Sequence, residues 1–193
     1  MSFLTQKQLA DKQFLSLGNN VLISEKASIY GASRIRIGNN VRIDDFCILS
    51  AGEQGICLGN YIHVACYCSL IGKAAISLHD YSNLSSRVSI YSSNDDYSGH
   101  YMTNPMVSSE FTKVDHRPVS IGRHCIVGSG AVILPGVILN EGSAIGALSL
   151  VVKTCEAFGI YVGVPARLIK KRNRDLLARE TLLLKRNASK ATK

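Results

Sequence analysis

The sequence predicts an all-β solenoid, and three observations carry that prediction. An aliphatic residue recurs at every sixth position through most of the chain, the hexads fall into groups of three, and one long polar stretch interrupts them. A period of six fits neither a helix, which repeats at about 3.6, nor a half-buried strand, which repeats at about two. It fits short strands joined by turns, each turning one aliphatic side chain inward, and such repeats bury a core only by stacking on their neighbours. A chain of 193 residues suits one sizeable domain with small additions.

Residues 1–16 are expected as an N-terminal helical segment, with a short helix over 4–14. The repeat spans 17–164. Its hexads start at Leu17, Ile23 and Ile29, at Ile37, Ile43 and Leu49, at Leu58, Val64 and Leu70, and at Leu78, Leu84 and Ile90. They resume at Ile121, Val127 and Ile133 and at Leu139, Ile145 and Val151, which makes six coils. Four positions after the aliphatic residue a second side chain points inward, and Cys47, Cys68, Cys125 and Cys155 share that slot with Val41, Ile62, Val88 and Val137. These four cysteines read as small buried hydrophobes. Glycine at the second hexad position, as in Gly38, Gly59, Gly122, Gly128 and Gly146, is expected to give the backbone freedom at the corners.

Between Ile90 and Ile121 the hexads lapse, leaving a loop insertion over 92–119 that opens with YSSNDDYSGHYMTNP. A loop of this length is uncommon in a compact domain unless it serves a function. Residues 165–193 follow as a basic helical tail, in which RDLLARETLLLKRN has amphipathic spacing.

Composition excludes several classes. Hydrophobic content of 46% with four prolines excludes disorder, and no apolar run reaches the roughly 20 residues that cross a bilayer, so no membrane insertion is expected. The N-terminal residues lack a secretory apolar region, which points to a cytoplasmic protein with reduced thiols. Residues 165–193 carry ten Lys or Arg against Asp175 and Glu180, so the net charge of +8 sits in the tail while 1–164 balance. No aromatic residue lies in that tail and no nucleic-acid module precedes it, so no nucleic-acid partner is expected.

The hexads, among them IGNNVR, IGRHCI, VGSGAV and IGALSL, resemble the hexapeptide repeat of the left-handed parallel β-helix acyltransferases, and the close IYVGVPARLIKKR resembles that family's G-x-P-A-[KR]-x-I-[KR] ending. The resemblance covers roughly residues 15–170. It implies a left-handed parallel β-helix, a homotrimer, and active sites between adjacent prisms. Scaffolds host several functions, so the sites must decide among acyl transfer, metal chemistry and a non-enzymatic binding module. The five histidines, His63, His79, His100, His116 and His124, do not reproduce the clustered zinc ligands of the β-helical carbonic anhydrases, and no metal is expected.

In the galactoside, maltose and xenobiotic acetyltransferase branch a catalytic histidine follows the coil before the insertion; here that slot holds Asp95, and the family's later tryptophan is Ile126. A hydroxyl acceptor needs a base near neutral pKa, for which histidine is suited and an ordinary aspartate is not. An amine with a pKa of roughly 8 attacks with its own lone pair and needs only orientation and a late proton acceptor. Segments SIYGASRIRIGNNVRIDDFCILS, GNYIHVACYCSL and LSSRVSIYSSNDDYSG are similar to the N-acetyltransferases of dTDP-linked amino-dideoxy sugars, of the 4-amino-4,6-dideoxyglucose type used for O-antigens. The resemblance implies acetyl-CoA as donor and a dTDP-sugar as acceptor. A sugar O-acetyltransferase is the alternative on the same fold.

The candidate catalytic residues are Asp95 and His63. Asp44, Asp45, Asn94 and Asp96 are candidates for sugar binding, although adjacent aspartates in loops also cap turns. His100 and His116 are expected as ordinary loop residues. For coenzyme A, the resemblance points to Gly128, Ser129, Gly146, Ala147 and Ser149 along a groove, with Lys153, Arg167, Lys170 and Lys171 for its phosphates. Gly128 and Gly146 are equally accounted for by the corners alone.

Overall fold

The computed structural model describes residues 2–191; residues 1, 192 and 193, the extremes of the two terminal segments, lie outside the described residues. Three parallel sheets form the faces of a prism. The first face stacks Ser16–Leu17, Ile35–Ile37, Ile56–Leu58, Ile76–Leu78, Val119–Ile121 and Ile138–Leu139. The second stacks Val21–Ile23, Val41–Ile43, His63–Val64, Asn83–Leu84, Ile126–Val127, Ala144–Ile145 and Gly159–Gly163. The third stacks Ser28–Tyr30, Ile48–Ala51, Ser69–Gly72, Ser89–Tyr91, Val132–Ile133 and Leu150–Val151.

The inward side chains superpose coil on coil. Ile23, Ile43, Val64, Leu84, Val127 and Ile145 are in register down the second face, and Leu49, Leu70, Ile90, Ile133 and Val151 down the third. All of these side chains are buried, as are Cys47, Cys68, Cys125 and Cys155 in the second inward slot. Burial pushes the Cys125 thiol up to about 11, which keeps it an inert packing group.

The coil count and the role of the hexad glycines need correction. A seventh, partial turn follows the expected six: Cys155 bridges to Leu139, and Tyr161 continues the second-face column below Ile145. The hexad spacing breaks after Val151, and Tyr161 fills the core where an aliphatic residue would stand. The hexad glycines also do not serve the predicted purpose. Left-handed φ values at the corners belong to Asn20, Asn40, Tyr61, Tyr81 and His124. Gly38 is required because a Cβ there would lie 2.6 Å from the carbonyl oxygen of Gly59, and one on Gly128 would lie 2.5 Å from the Ala147 nitrogen. Close approach of successive coils selects glycine, not backbone freedom.

The insertion leaves the prism after the fourth coil and starts as a two-stranded antiparallel ribbon, Ser93–Asn94 against Asp115–His116. The N-terminal helix, α1 (Gln6–Asp11), is shorter than expected; Thr5 and Gln8 form a capping box, and Leu9 is buried against the core. At the other end, Ala166–Lys171 is a strand running antiparallel to Gly159–Gly163, where a helical tail was expected. The helix α2 (Asp175–Ala191) follows and lies along the corner built from Tyr61, Tyr81 and His124, whose rings stack at 4.9 Å. Asn187 donates to the Tyr61 hydroxyl at 3.2 Å, and Arg172 donates to the His124 and Gly142 carbonyls.

Candidate active site

Asp95 lies just past the ribbon and lines a cleft of about 430 Å³ together with Asn94, Asn104, Pro105, Val107 and Thr112. The ribbon is tied to the prism through Ser93. The Ser93 hydroxyl oxygen accepts from the Lys73 amide at 2.8 Å, and the same hydroxyl meets His116 Nδ1 at 2.8 Å. Two-stranded ribbons are marginal alone, so this tie helps to fix where Asp95 stands. His116, expected as an ordinary loop residue, stands opposite Ser93 in the ribbon and holds the hydroxyl that makes this tie.

Asp96, a candidate for sugar binding, is engaged in a turn. Its carboxylate accepts from the Ser98 hydroxyl at 2.7 Å and from the amides of Ser98, Gly99 and Tyr101, which closes the turn that follows. The Ser98 hydroxyl and these amides hold the carboxyl below its ordinary value. The structure thus assigns the turn-capping role to Asp96, while Asp95 keeps its place in the cleft. Asn94 lines the same cleft, with its amide nitrogen donating to the Asp95 carbonyl at 3.2 Å.

His63 sits on the outer side of the second face. It lines a separate cleft of about 340 Å³ with Asn40, Arg42, Tyr61 and Ile62, so one chain does not bring His63 and Asp95 into one pocket. Its Nε2 bonds Asp44 Oδ2 at 2.9 Å and its Nδ1 lies 3.2 Å from the Asn83 side-chain oxygen. Arg42 Nε donates to the other Asp44 oxygen at 2.7 Å. Asp44 is buried, which raises its carboxyl, but the bonds and charges of Arg42 and His63 outweigh burial and hold it below its ordinary value.

Asp44 and Asp45, expected to bind sugar, are therefore engaged within the chain. Asp45 accepts from the Ser24 hydroxyl and pairs with Lys26 at 3.6 Å. Arg42 and Asn83 were not foreseen, yet a signal existed: His63 and Asn83 are 20 residues apart, one coil, and so occupy the same outward column.

At the C-terminal end Lys153 and Arg167 line a cleft of about 440 Å³ with Thr154, Tyr161 and Leu168. Lys171 is exposed and pairs with Glu156 at 2.7 Å, and Lys170 stands opposite Ile160 on the same antiparallel hairpin. Ser129 and Ala147 are exposed, and Gly128 and Gly146 lie on the adjoining coils. Ser149 departs from expectation, because it is buried and its hydroxyl oxygen accepts from the Gly163 amide at 3.1 Å; its side chain cannot line a groove. Among the described residues no three His, Cys, Asp or Glu side chains converge as metal ligands, and no helix is long and apolar enough to cross a membrane.

No protein-family profile matches the chain. A relative 56% identical over 182 residues, 94% of this chain and 95% of its own length, is the dTDP-4-amino-4,6-dideoxy-D-glucose acyltransferase of Escherichia coli. The crystal structure of AntD, an N-acyltransferase from Bacillus cereus in complex with dTDP and 3-hydroxybutyryl-CoA, is similar with a TM-score of 0.93 and 43% identity, covering 97% of this chain and 98% of that one. A serine variant of AntD, bound to dTDP-4-amino-4,6-dideoxyglucose and coenzyme A, gives a TM-score of 0.92 at 43% identity over 95% of this chain and 97% of that one. The hexad repeat, the prism and these two lines of likeness agree: the chain belongs to the hexapeptide-repeat acyltransferases, among the nucleotide-sugar N-acyltransferases.

Proposed function

We propose that the protein transfers an acetyl group from acetyl-CoA to the amino group of dTDP-4-amino-4,6-dideoxyglucose or a close amino-dideoxy relative, for surface polysaccharide synthesis in the cytoplasm. The observation that carries this reading is the full-length 56% identity to an acyltransferase named for that sugar. An aspartate in place of the O-acetyltransferase histidine supports an amine over a hydroxyl as acceptor.

The neutral amine attacks the thioester carbonyl; a C–N bond forms, the C–S bond breaks, and coenzyme A leaves as thiol. Asp95 orients the acceptor nitrogen, takes its surplus proton late in the reaction and passes it to the departing sulfur, which is how coenzyme A leaves as thiol; most of the rate comes from proximity. Asn94 shares the Asp95 cleft and is placed to hold the sugar. The phosphates of coenzyme A suit Lys153 and Arg167, with Lys170 and Lys171 on the hairpin beside them, and the pantetheine arm suits the exposed coil edge at Gly128, Ser129, Gly146 and Ala147.

In a homotrimer, the second face of one copy lies against the third face of the next, so that His63 of one subunit meets the Asp95 cleft of its neighbour. The separation of the two clefts on one chain supports that reading.

The test is thiol release from acetyl-CoA and from 3-hydroxybutyryl-CoA with matched amino and hydroxy dTDP-sugars. Turnover with the amino sugar and acetyl-CoA is expected. Turnover confined to hydroxyl acceptors would favour the O-acetyltransferase, none at all the binding module, and a strong preference for the longer acyl chain would overturn acetyl as the donor.

A further inference from the structure

Arg42, His63 and Asn83 occupy one outward column on three successive coils of the second face. Asp44 joins them from the side, accepting from Arg42 through one oxygen and meeting His63 Nε2 through the other. An ionised carboxylate has no hydrogen to offer, so Nε2 must carry one. A neutral imidazole has only one N–H, and its Nδ1 is then a lone pair. Asn83 stands with its side-chain oxygen 3.2 Å from Nδ1, the orientation that suits a charged ring; opposite a neutral ring it must turn its amide NH₂ to Nδ1 and leave its carbonyl oxygen facing outward. When the ring is charged, Nδ1 also carries a hydrogen, the amide oxygen turns to it, and the NH₂ faces outward. The two ends of an amide have nearly the same shape, so the turn needs no repacking.

The groups around His63 make this a two-state device. Asp44 and Arg42 are the charged groups facing it from the preceding coil, while Asp45 is turned to Ser24 and Lys26. The following coil offers the uncharged Asn83, and beyond it Ile126, whose outward side chain is apolar.

We propose that Asn83 is a positioning residue for the acceptor: its amide turns with the protonation of His63 and presents a carbonyl oxygen to the acceptor's amino group when the ring is neutral. An outward carbonyl accepts an N–H and aims the nitrogen lone pair; an outward NH₂ repels the same group. The inference rests on the N-acyltransferase reading and on the His63 column of one subunit meeting the Asp95 cleft of its neighbour, and it adds a residue that controls the amine's orientation. It also makes Asp44 the group that fixes which ring nitrogen communicates with Asn83.

The test compares wild type, Asn83→Asp and Asn83→Leu with acetyl-CoA and the amino sugar over about pH 5.5 to 8.5. In wild type, the acid limb of kcat/KM for the acceptor is expected to be steeper than slope one, because a proton on the amine and a charged His63 ring each remove the productive state. Asn83→Asp offers an oxygen in either state and is expected to keep slope one throughout, within about threefold of wild type near pH 8. Asn83→Leu is expected to raise the acceptor KM about tenfold or more while leaving the KM for acetyl-CoA and the unfolding midpoint unchanged. A wild-type acid limb retained in Asn83→Asp, or an unchanged acceptor KM in Asn83→Leu, overturns the inference. Selective ¹⁵N-asparagine labelling adds an arm that does not depend on turnover. The Asn83 side-chain amide resonances should titrate with the His63 ring, and separate midpoints overturn the proposal even if the amino sugar is not the substrate.

Discussion

Glu180 and His124 are 56 residues apart, yet the Glu180 carboxylate meets His124 Nε2 at 2.8 Å, and Arg123 bonds the other oxygen. Both His124 and Glu180 are largely shielded from solvent, and the imidazole continues the Tyr61 and Tyr81 stack. This carboxylate is therefore a principal clamp holding α2 to the corner. Glu180→Ala leaves two cationic or polar partners unanswered and is expected to cost about 1–3 kcal/mol. Thermal unfolding and limited proteolysis read it: the midpoint drops and cleavage within 175–189 accelerates. An unchanged midpoint with an equally protected tail would show that α2 docks by its leucines alone.

Asp44 makes acid sensitivity predictable. Its carboxyl is held below the ordinary value of 3.8, so its contribution is fully present above that value and is lost as pH falls through the folded one. Asp44→Asn should lower the urea midpoint at pH 7, by an amount corresponding to about 1–3 kcal/mol. The difference from wild type should shrink below about pH 4, where wild type loses the same contribution. A gap of constant size from pH 7 to pH 3 would rule out the ionised carboxylate as the cause.

Asp95 is predicted to act on rate. Asp95→Asn should lower kcat at least about tenfold with the assembly intact by sedimentation, because the amide cannot take up the proton. His63→Asn should raise the acceptor KM more than it lowers kcat, as expected of a group that orients instead of accepting the proton. Unchanged rates for Asp95→Asn would return this residue to turn capping, the part Asp96 already plays.

Arg167 is expected to matter for the nucleotide end of the donor only. Arg167→Ala should raise the KM for acetyl-CoA about tenfold and leave turnover of acetyl-pantetheine, which lacks those phosphates, unaltered. An equal loss with both donors would place Arg167 elsewhere in the mechanism.

Much of this architecture is legible in the sequence because every hexad must fill the same interior column, and a column admits few residue types. Ile43, Val64 and Leu84 announce themselves by spacing alone. The seventh turn does not, because Tyr161 replaces the aliphatic residue and the spacing slips around it. The strand at 166–171 also escaped, since a short basic segment before a helix has no period of its own.

Aligning coils singles out Asp95 as a candidate and the structure places it in a cleft, whereas the engagement of Asp44 with Arg42 and His63 depends on neighbours related only through register. The one-coil spacing from His63 to Asn83 was available, but a column of outward residues carries no hydrophobic signature to draw attention to it.

The antiparallel pairing of Ala166–Lys171 with Gly159–Gly163 has a further consequence. A stack of parallel coils has no natural length: its last rung is an open row of donors and acceptors on which another molecule could keep building. Reversing the chain there ends the row with a strand of alternate direction, rich in lysine and followed by a helix that runs back along the corner. At the opposite end, α1 and the antiparallel bridge of Phe3 to Ser24 shut the first rung in the same way. The second face is thus capped at both of its ends, by a reversed basic strand at one and by the Phe3 bridge at the other, so that neither terminal rung of that face offers a parallel row for a further coil to extend.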